Sequence, residues 1–224
     1  MSRARIGKPL IRTAVLLSGM TGALSFAGYS APAAAVESAP AAAAQTATDD
    51  RCAALSGVKL DQVTLESTAT QPAHAPVAGA HMPGMDGTPD GGPPVAGLPA
   101  FCRVIGRIHP EPGSDIRFEV WMPTEGWNGR LNGVGTGGFA GSIDYMTLGA
   151  VLKAGQAGAS TDTGHHGNAP DSSWAKGHPE RVRDYGWRAI HLTNIAAKKL
   201  VAAFYNKGPD HSYFIGCSNG GRQG

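Results

Sequence analysis

The chain has 224 residues, 42% of them hydrophobic, and its 19 Lys and Arg against 17 Asp and Glu leave a net charge of only +2. That balance, with no basic run interleaved with aromatic residues, excludes nucleic acid as the expected partner. The length suits one domain with a sizeable core and gives no sign of a second.

In chain order, Arg3, Arg5, Lys8 and Arg12 precede an apolar run over residues 13–27 and then Ala/Pro-rich sequence, the pattern of a secretory signal over residues 1–35. Cleavage fits either after Ala33-Ala34-Ala35 or after Ala42-Ala43-Ala44. The run is shorter than the roughly 20 apolar residues of a spanning helix, so no stable membrane anchor is expected. The expected location is secreted or periplasmic. In an oxidising compartment three cysteines should mostly be paired, and the odd one seeks a partner.

Residues 36–50 read as a flexible Ala-rich lead, with order beginning near Arg51, a short helix opening at Cys52 and a strand over Val58 to Leu65. Residues 68–99 are dominated by Pro, Gly, Ala and His and read as a surface loop. His74, His81, Met82 and Met85 lie in it, but soft ligands in a Pro/Gly tract are more often incidental, so no metal site is expected. Phe101 to Ile108 and Ile116 to Met122 alternate as two strands, expected antiparallel, with Pro110 to Ser114 as turn chemistry and Pro123 as the stop. Next come a strand from Arg130 to Val134, a Gly-rich loop from Gly135 to Gly141, a helix from Tyr145 to Lys153 and a strand from Ala157 to Asp162. A long helix follows over Tyr185 to Asn206, where Trp187, Ile190, Ala197, Val201 and Phe204 mark a buried stripe. Asp184 is its expected N-cap, and Lys207-Gly208-Pro209 ends it. His191 and Asn194 read as satisfied polar groups near that stripe.

Ser212 to Ile215 has the character of a buried parallel strand and runs straight into Gly216-Cys217-Ser218-Asn219-Gly220, a G-x-S-x-G turn. A serine held on such a turn presents its Oγ above the sheet while the N–H of the next residue, Asn219, points at a bound carbonyl oxygen. A hairpin, then strands alternating with helices up to a serine elbow, is the first half of an α/β-hydrolase. In that fold the loop after the preceding inner strand supplies a second N–H donor, here Gly135-Thr136-Gly137-Gly138. A rival reading takes Gly133, Gly135 and Gly138 as a dinucleotide G-x-G-x-x-G with Asp162 as the ribose acid. Against it, residues 139–142 delay the helix that should start at the third glycine, and export disfavours a soluble nicotinamide cofactor.

Several blocks recur as a set: Phe101-Cys102-Arg103-Val104, Phe118-Glu119-Val120-Trp121-Met122-Pro123, Trp127-Asn128-Gly129-Arg130, Gly137-Gly138-Phe139-Ala140-Gly141, Ser160-Thr161-Asp162-Thr163-Gly164-His165, Ser173-Trp174-Ala175 and Gly216-Cys217-Ser218-x-Gly220-Gly221-Arg222-Gln223. On these, from about residue 51 to 224, the chain resembles the tannase and feruloyl esterase family. The resemblance implies an exported serine esterase of the α/β-hydrolase fold acting on phenolic or aromatic esters such as feruloyl and galloyl groups. It implies Ser218 as nucleophile, the N–H of Asn219 and most directly that of Gly138 as oxyanion donors with Gly137 adjacent, and a Cys52–Cys102 disulfide. It implies that Cys217 pairs with a cysteine directly after the catalytic histidine, a partner this sequence does not contain.

The same resemblance places the catalytic Asp, the catalytic His and a lid, often with a structural calcium, after the nucleophile. The chain is therefore expected to be an N-terminal portion, inactive alone and without a cofactor of its own. His165, His166 and His178 precede Ser218, which is the wrong order for the base in this fold. Asp162 and His165 are instead expected to shape the loop after their strand through Asx-type turns and hydrogen bonds. Arg222 is either structural or a contact for an acid group of substrate. The alternative from another class is a non-catalytic binding module or an inactive relic.

Overall fold

The computed structural model describes residues 39–77 and 94–224, with side chains from residue 46 onward. The expected signal segment and His81, Met82 and Met85 lie outside the described residues.

The first helix, α1, spans Ala39–Ala54 and runs on into a single 3-10 turn at Leu55–Gly57. This corrects the flexible lead to residue 50. Alanine is the strongest helix former, and proline is tolerated in a first turn, where Pro40 sits. Tertiary anchors complete the helix: Thr48 is buried, and Cys52 is joined to Cys102 with their Cα atoms 5.6 Å apart.

Three antiparallel strands follow, β1 (Val63–Gln71), β2 (Phe101–Ile108) and β3 (Ile116–Pro123), with Val104 opposite Val120 in the hairpin register. The first begins later and runs six residues further than the strand expected over 58–65. A bulge between Leu65 and Ser67 breaks the two-residue period at Glu66, and beyond it β1 is carried by pairing with β2 through Gln71 opposite Phe101. The segment expected as a loop from 68 to 99 is thus strand up to Gln71, and Val77 bridges Val95 where the chain is described again.

The parallel strands are β4 (Arg130–Val134), β5 (Ala157–Thr161) and β6 (His211–Ile215), in a six-stranded sheet ordered β1-β2-β3-β5-β4-β6. Helix α2 (Tyr145–Lys153) lies between β4 and β5 in sequence, capped by Asp144, whose carboxylate accepts from the Thr147 N–H. Two cores form. One packs α1 and α4 (Ala189–Tyr205) against Val104, Phe118, Val120 and Leu131; the other packs α2 and Leu98 against Phe101, Trp121 and Val134. The sheet is covered on both faces, as an α/β architecture with a parallel segment requires.

The long helix departs from expectation at its start. A short helix α3 (Pro179–Arg183) opens on proline, a π-helical turn occupies Asp184–Arg188, and α4 continues from it. Asp184 is not an N-cap. It sits inside the helical run, fully buried, accepting from the Ser114 hydroxyl and from Arg188. The π turn adds a residue to the spiral, which rotates Trp187 out of the apolar stripe to 58% exposure. His191 is exposed beside Trp187, and Asn194 donates to the Ile190 carbonyl. Strand β6 is parallel to β4 as expected and, among the described residues, pairs on that side only, with Tyr213 and Ile215 about half exposed. Its Phe214 turns the other way, toward Gly133 and Gly135.

Candidate active site

The elbow joins β6 to a short helix α5 (Asn219–Gln223) through Gly216, Cys217 and Ser218. Ser218 has φ 55° and ψ −119°, a region an L-residue enters only under constraint, and it is exposed at the turn. What permits the turn is close approach of backbone. A Cβ on Gly216 would overlap the main chain of Gly220, so the strand can fold back on the helix only if residue 216 lacks a side chain.

The Gly-rich loop after β4 faces this elbow. Thr136 is the joint: its N–H donates to Gln223 Oε1 at 3.0 Å, and its hydroxyl accepts from Gln223 Nε2 at 3.2 Å and from Asn219 Nδ2 at 3.3 Å. Gly135 lies so close that a Cβ there would stand 2.7 Å from the Cα of Gly220. The glycines that mimic a dinucleotide fingerprint are small for other reasons: Gly135 receives the elbow helix, Gly133 abuts Asn194 and Phe214, and Gly138 abuts Ala169. The helix that should follow Gly138 at once starts only at Tyr145, so the dinucleotide reading through Gly133, Gly135, Gly138 and Asp162 is not favoured.

Beyond Thr136 three successive peptide units are pinned. The Gly137 carbonyl accepts from the Ala140 N–H at 3.1 Å, which turns the N–H of Gly138, on the other side of the same peptide, away from the turn. The Gly138 carbonyl accepts from the Tyr185 hydroxyl at 2.7 Å, and the Phe139 N–H donates to the Ala169 carbonyl at 2.8 Å. The Phe139 carbonyl accepts from His165 Nε2 at 2.8 Å. Gly138 itself has φ +53°, a further reason for glycine there. Among the described residues, neither the Gly138 nor the Asn219 N–H has a hydrogen-bond acceptor.

His165 is buried and stacked on Trp174 with ring centroids 3.8 Å apart. Its Nδ1 meets the Thr163 hydroxyl at 3.3 Å, so with Nε2 donating to Phe139 the imidazole is the neutral Nε2–H tautomer, and burial pushes its pKa below the ordinary histidine value. It braces the loop, as the sequence suggested. Asp162 does likewise, accepting from the N–H groups of Gly164 and Arg117. Burial pushes its pKa up to about 7, against those two donors, which favour the charged form.

Arg222 is occupied structurally. Its Nε donates to Asn219 Oδ1, its Nη1 and Nη2 to the carbonyls of Gly186 and Tyr185, and the guanidinium sits 5.0 Å from the Tyr185 ring centroid. Cys217 is a free, exposed thiol, whereas Cys52 and Cys102 are joined. An open cleft of about 570 Å3 runs between Gly138, Phe139, Pro170, Val182, Tyr185 and Asn219. Among the described residues no group of three or more His, Cys, Asp and Glu lies together. The sequence marks Tyr185 only as the start of the long helix and Trp174 only as part of a recurring block, neither with a role in the site. The available signal was Gly186 inside a helical pattern, an interruption that often has a packing or functional reason.

The relatives carry the same arrangement of sequence and fold. An uncharacterized esterase of Xanthomonas campestris is 43% identical over 76% of this chain and 28% of its own length. Feruloyl esterase C of Talaromyces stipitatus is 36% identical over 57% of this chain and 23% of its own. The crystal structure of feruloyl esterase B from Aspergillus oryzae superposes with a TM-score of 0.70 at 30% identity, over 79% of this chain and 34% of that one. The chain thus spans between about a quarter and a third of the length of these relatives, and its fold is that of α/β-hydrolase-type esterases. A sequence model described as tannase and feruloyl esterase matches residues 102–224, every stretch that builds the loop, the π turn and the elbow, and the chain belongs to that family.

Proposed function

We propose that this chain supplies the nucleophile and the oxyanion hole of an exported serine carboxylic-ester hydrolase acting on esters of phenolic or aromatic acids. The observation that carries the reading is Ser218 at φ 55° on an exposed strand-to-helix turn, beside two backbone N–H groups, of Gly138 and Asn219, without acceptors among the described residues. Holding an L-residue in that conformation costs about 1–3 kcal/mol, a strain that clusters at functional sites.

In the reaction, Ser218 Oγ attacks the ester carbonyl and gives up its proton to a histidine base. The charge that develops on the carbonyl oxygen is met by the N–H groups of Asn219 and Gly138, with Gly137 shaping the approach. The alcohol departs with the proton, and water hydrolyses the acyl-enzyme by the same route in reverse. His165 does not fit the base, because both ring nitrogens are engaged in bracing the loop. The base and its acid partner are assigned to sequence beyond these 224 residues. The apolar walls contributed by Phe139, Pro170, Val182 and Tyr185 suit an aromatic group, and a cleft of about 570 Å3 is the size of a small-molecule site. The test is hydrolysis of methyl ferulate and methyl gallate by the protein expressed from the complete gene, with labelling by a fluorophosphonate. Label mapped to Ser218 is the expected result; hydrolysis of both esters with label at another residue, or with none, removes the assignment.

A further inference from the structure

Both oxyanion donors need positions fixed to a fraction of an ångström, yet they sit on separate segments, a loop after β4 and the start of a five-residue helix. The Thr136–Gln223 pair joins the two segments on one side. On the other side one residue touches both. Tyr185 donates its hydroxyl to the Gly138 carbonyl at 2.7 Å, and its own carbonyl accepts from Arg222 Nη2 at 3.2 Å, while its ring lies under the same guanidinium. Arg222 closes the circuit by donating from Nε to the Asn219 side chain at 2.8 Å and from Nη1 to the Gly186 carbonyl at 2.8 Å.

Tyr185 is placed there by the π-helical turn over Asp184–Arg188. A π turn is rare and marks functional sites more often than chance, and this one is nailed down at its base. The Asp184 carboxylate, fully buried, accepts from Ser114 and Arg188, and Arg188 reaches Glu111 at 2.7 Å. Asp184 and Arg188 thus tie the π turn to the β2–β3 turn, and Tyr185 ties it to the oxyanion loop and, through Arg222, to the elbow helix.

We infer that Tyr185 and Arg222 act as one positioning unit that sets the distance between the Gly138 and Asn219 N–H groups. The Tyr185 ring walls the cleft, but its hydroxyl and the Arg222 guanidinium act on the transition state and not on substrate binding, since they are spent on backbone and on Asn219. The inference rests on the serine-esterase reading above.

The test uses the protein from the complete gene, with a neutral aryl ester and the same ester bearing a carboxylate. Tyr185→Phe removes only the hydroxyl, leaving the ring and the carbonyls that hold Arg222. The expected result is a fall in kcat of about ten- to a hundredfold, the scale of a donor displaced by up to an ångström, with KM and melting temperature little changed. Arg222→Lys, which cannot reproduce the guanidinium fork, should lower kcat in the same way on both esters. Because the two residues work as one unit, the double variant should lose less than the product of the single losses. An unchanged kcat in Tyr185→Phe overturns the inference, as does a melting temperature far below wild type, which would assign the hydroxyl to folding. A rise in KM confined to the carboxylated ester in Arg222→Lys overturns it by making Arg222 a substrate contact, and losses that simply multiply dissolve the unit. Ser218-dependent hydrolysis with an unaffected Tyr185→Phe sinks this inference alone; a wild type without Ser218-dependent hydrolysis sinks the esterase reading and this inference with it.

Discussion

The hairpin side of the sheet and the elbow side are built on opposite plans. Around β2 and β3 the central polar cluster is closed and buried: Glu119, with no exposure, accepts from Arg103 Nε and Nη2, from Trp121 and from Tyr145. A disulfide fastens α1 to the same hairpin. Around β6 and α5 the loop and the elbow meet through separate hydrogen bonds of Thr136, Gln223, Tyr185 and Arg222, Ser218 sits at φ 55°, and Phe139, Val182 and Trp187 are open to solvent. One side is knit by buried groups, and the other holds a strained serine turn against a glycine loop. Stability and activity should therefore respond to substitutions on different sides.

The largest expected effect tests the elbow. Ser218→Ala should reduce ester hydrolysis about a million-fold, worth about 8 kcal/mol of transition-state stabilisation, with the melting temperature unchanged. Activity above about one per cent of wild type would be far outside that range and would place the nucleophile elsewhere. Next, Glu119→Ala should destabilise the protein by about 3–5 kcal/mol, since it leaves the buried end of Arg103 without its countercharge. If chemical denaturation reports under 1 kcal/mol, a loss no larger than a surface pair gives, the hairpin is not the stable side. Replacing both Cys52 and Cys102 with alanine should remove about 4 kcal/mol, the chain-entropy value for a loop of this length. Peptide mapping of the intact protein should find these two joined, and a Cys217 link to either would break the comparison at its root.

The last expected effect lies on the boundary, and it is the smallest per pH unit. Asp162 is nearly neutral in the fold, with a pKa pushed up to about 7 by burial, whereas unfolded it ionises near the ordinary aspartate value. The folded state then binds the extra proton, so stability is highest at acid pH and falls as pH rises from about 4 to about 7, by up to about 1.4 kcal/mol per unit. Asp162→Asn, which keeps an oxygen for the Gly164 and Arg117 N–H groups, should flatten that slope. An unchanged slope in urea titrations at pH 5, 6 and 7 would mean another group carries it.

Much of this division was legible in the amino-acid order. Strands over Phe101–Ile108 and Arg130–Val134 and the helix over Tyr145–Lys153 lie where alternation and helical spacing put them, because each is specified by its own side chains. The elbow was legible for another reason: a strained turn admits few residue types, so the steric demand leaves glycines at fixed spacing around the serine. What local pattern could not carry is whatever depends on a distant partner. The Ala-rich segment becomes α1 with Cys102 and a buried Thr48 to anchor it, and β1 continues past its bulge because β2 is there to pair with.

The sequence by itself determined an α/β order of elements, the serine on its turn and the glycine loop that faces it, since backbone conformation restricts composition at each of those places. Only the tertiary structure decided that Trp187 lies exposed, that Asp184 is an interior anchor and not a cap, and that Tyr185 bridges the loop and the elbow. These outcomes turn on one extra residue in a helical turn. A shift of one residue rotates every later side chain on the helix by about 100° while leaving its composition as it was, so no reading of the pattern along the chain could reveal it.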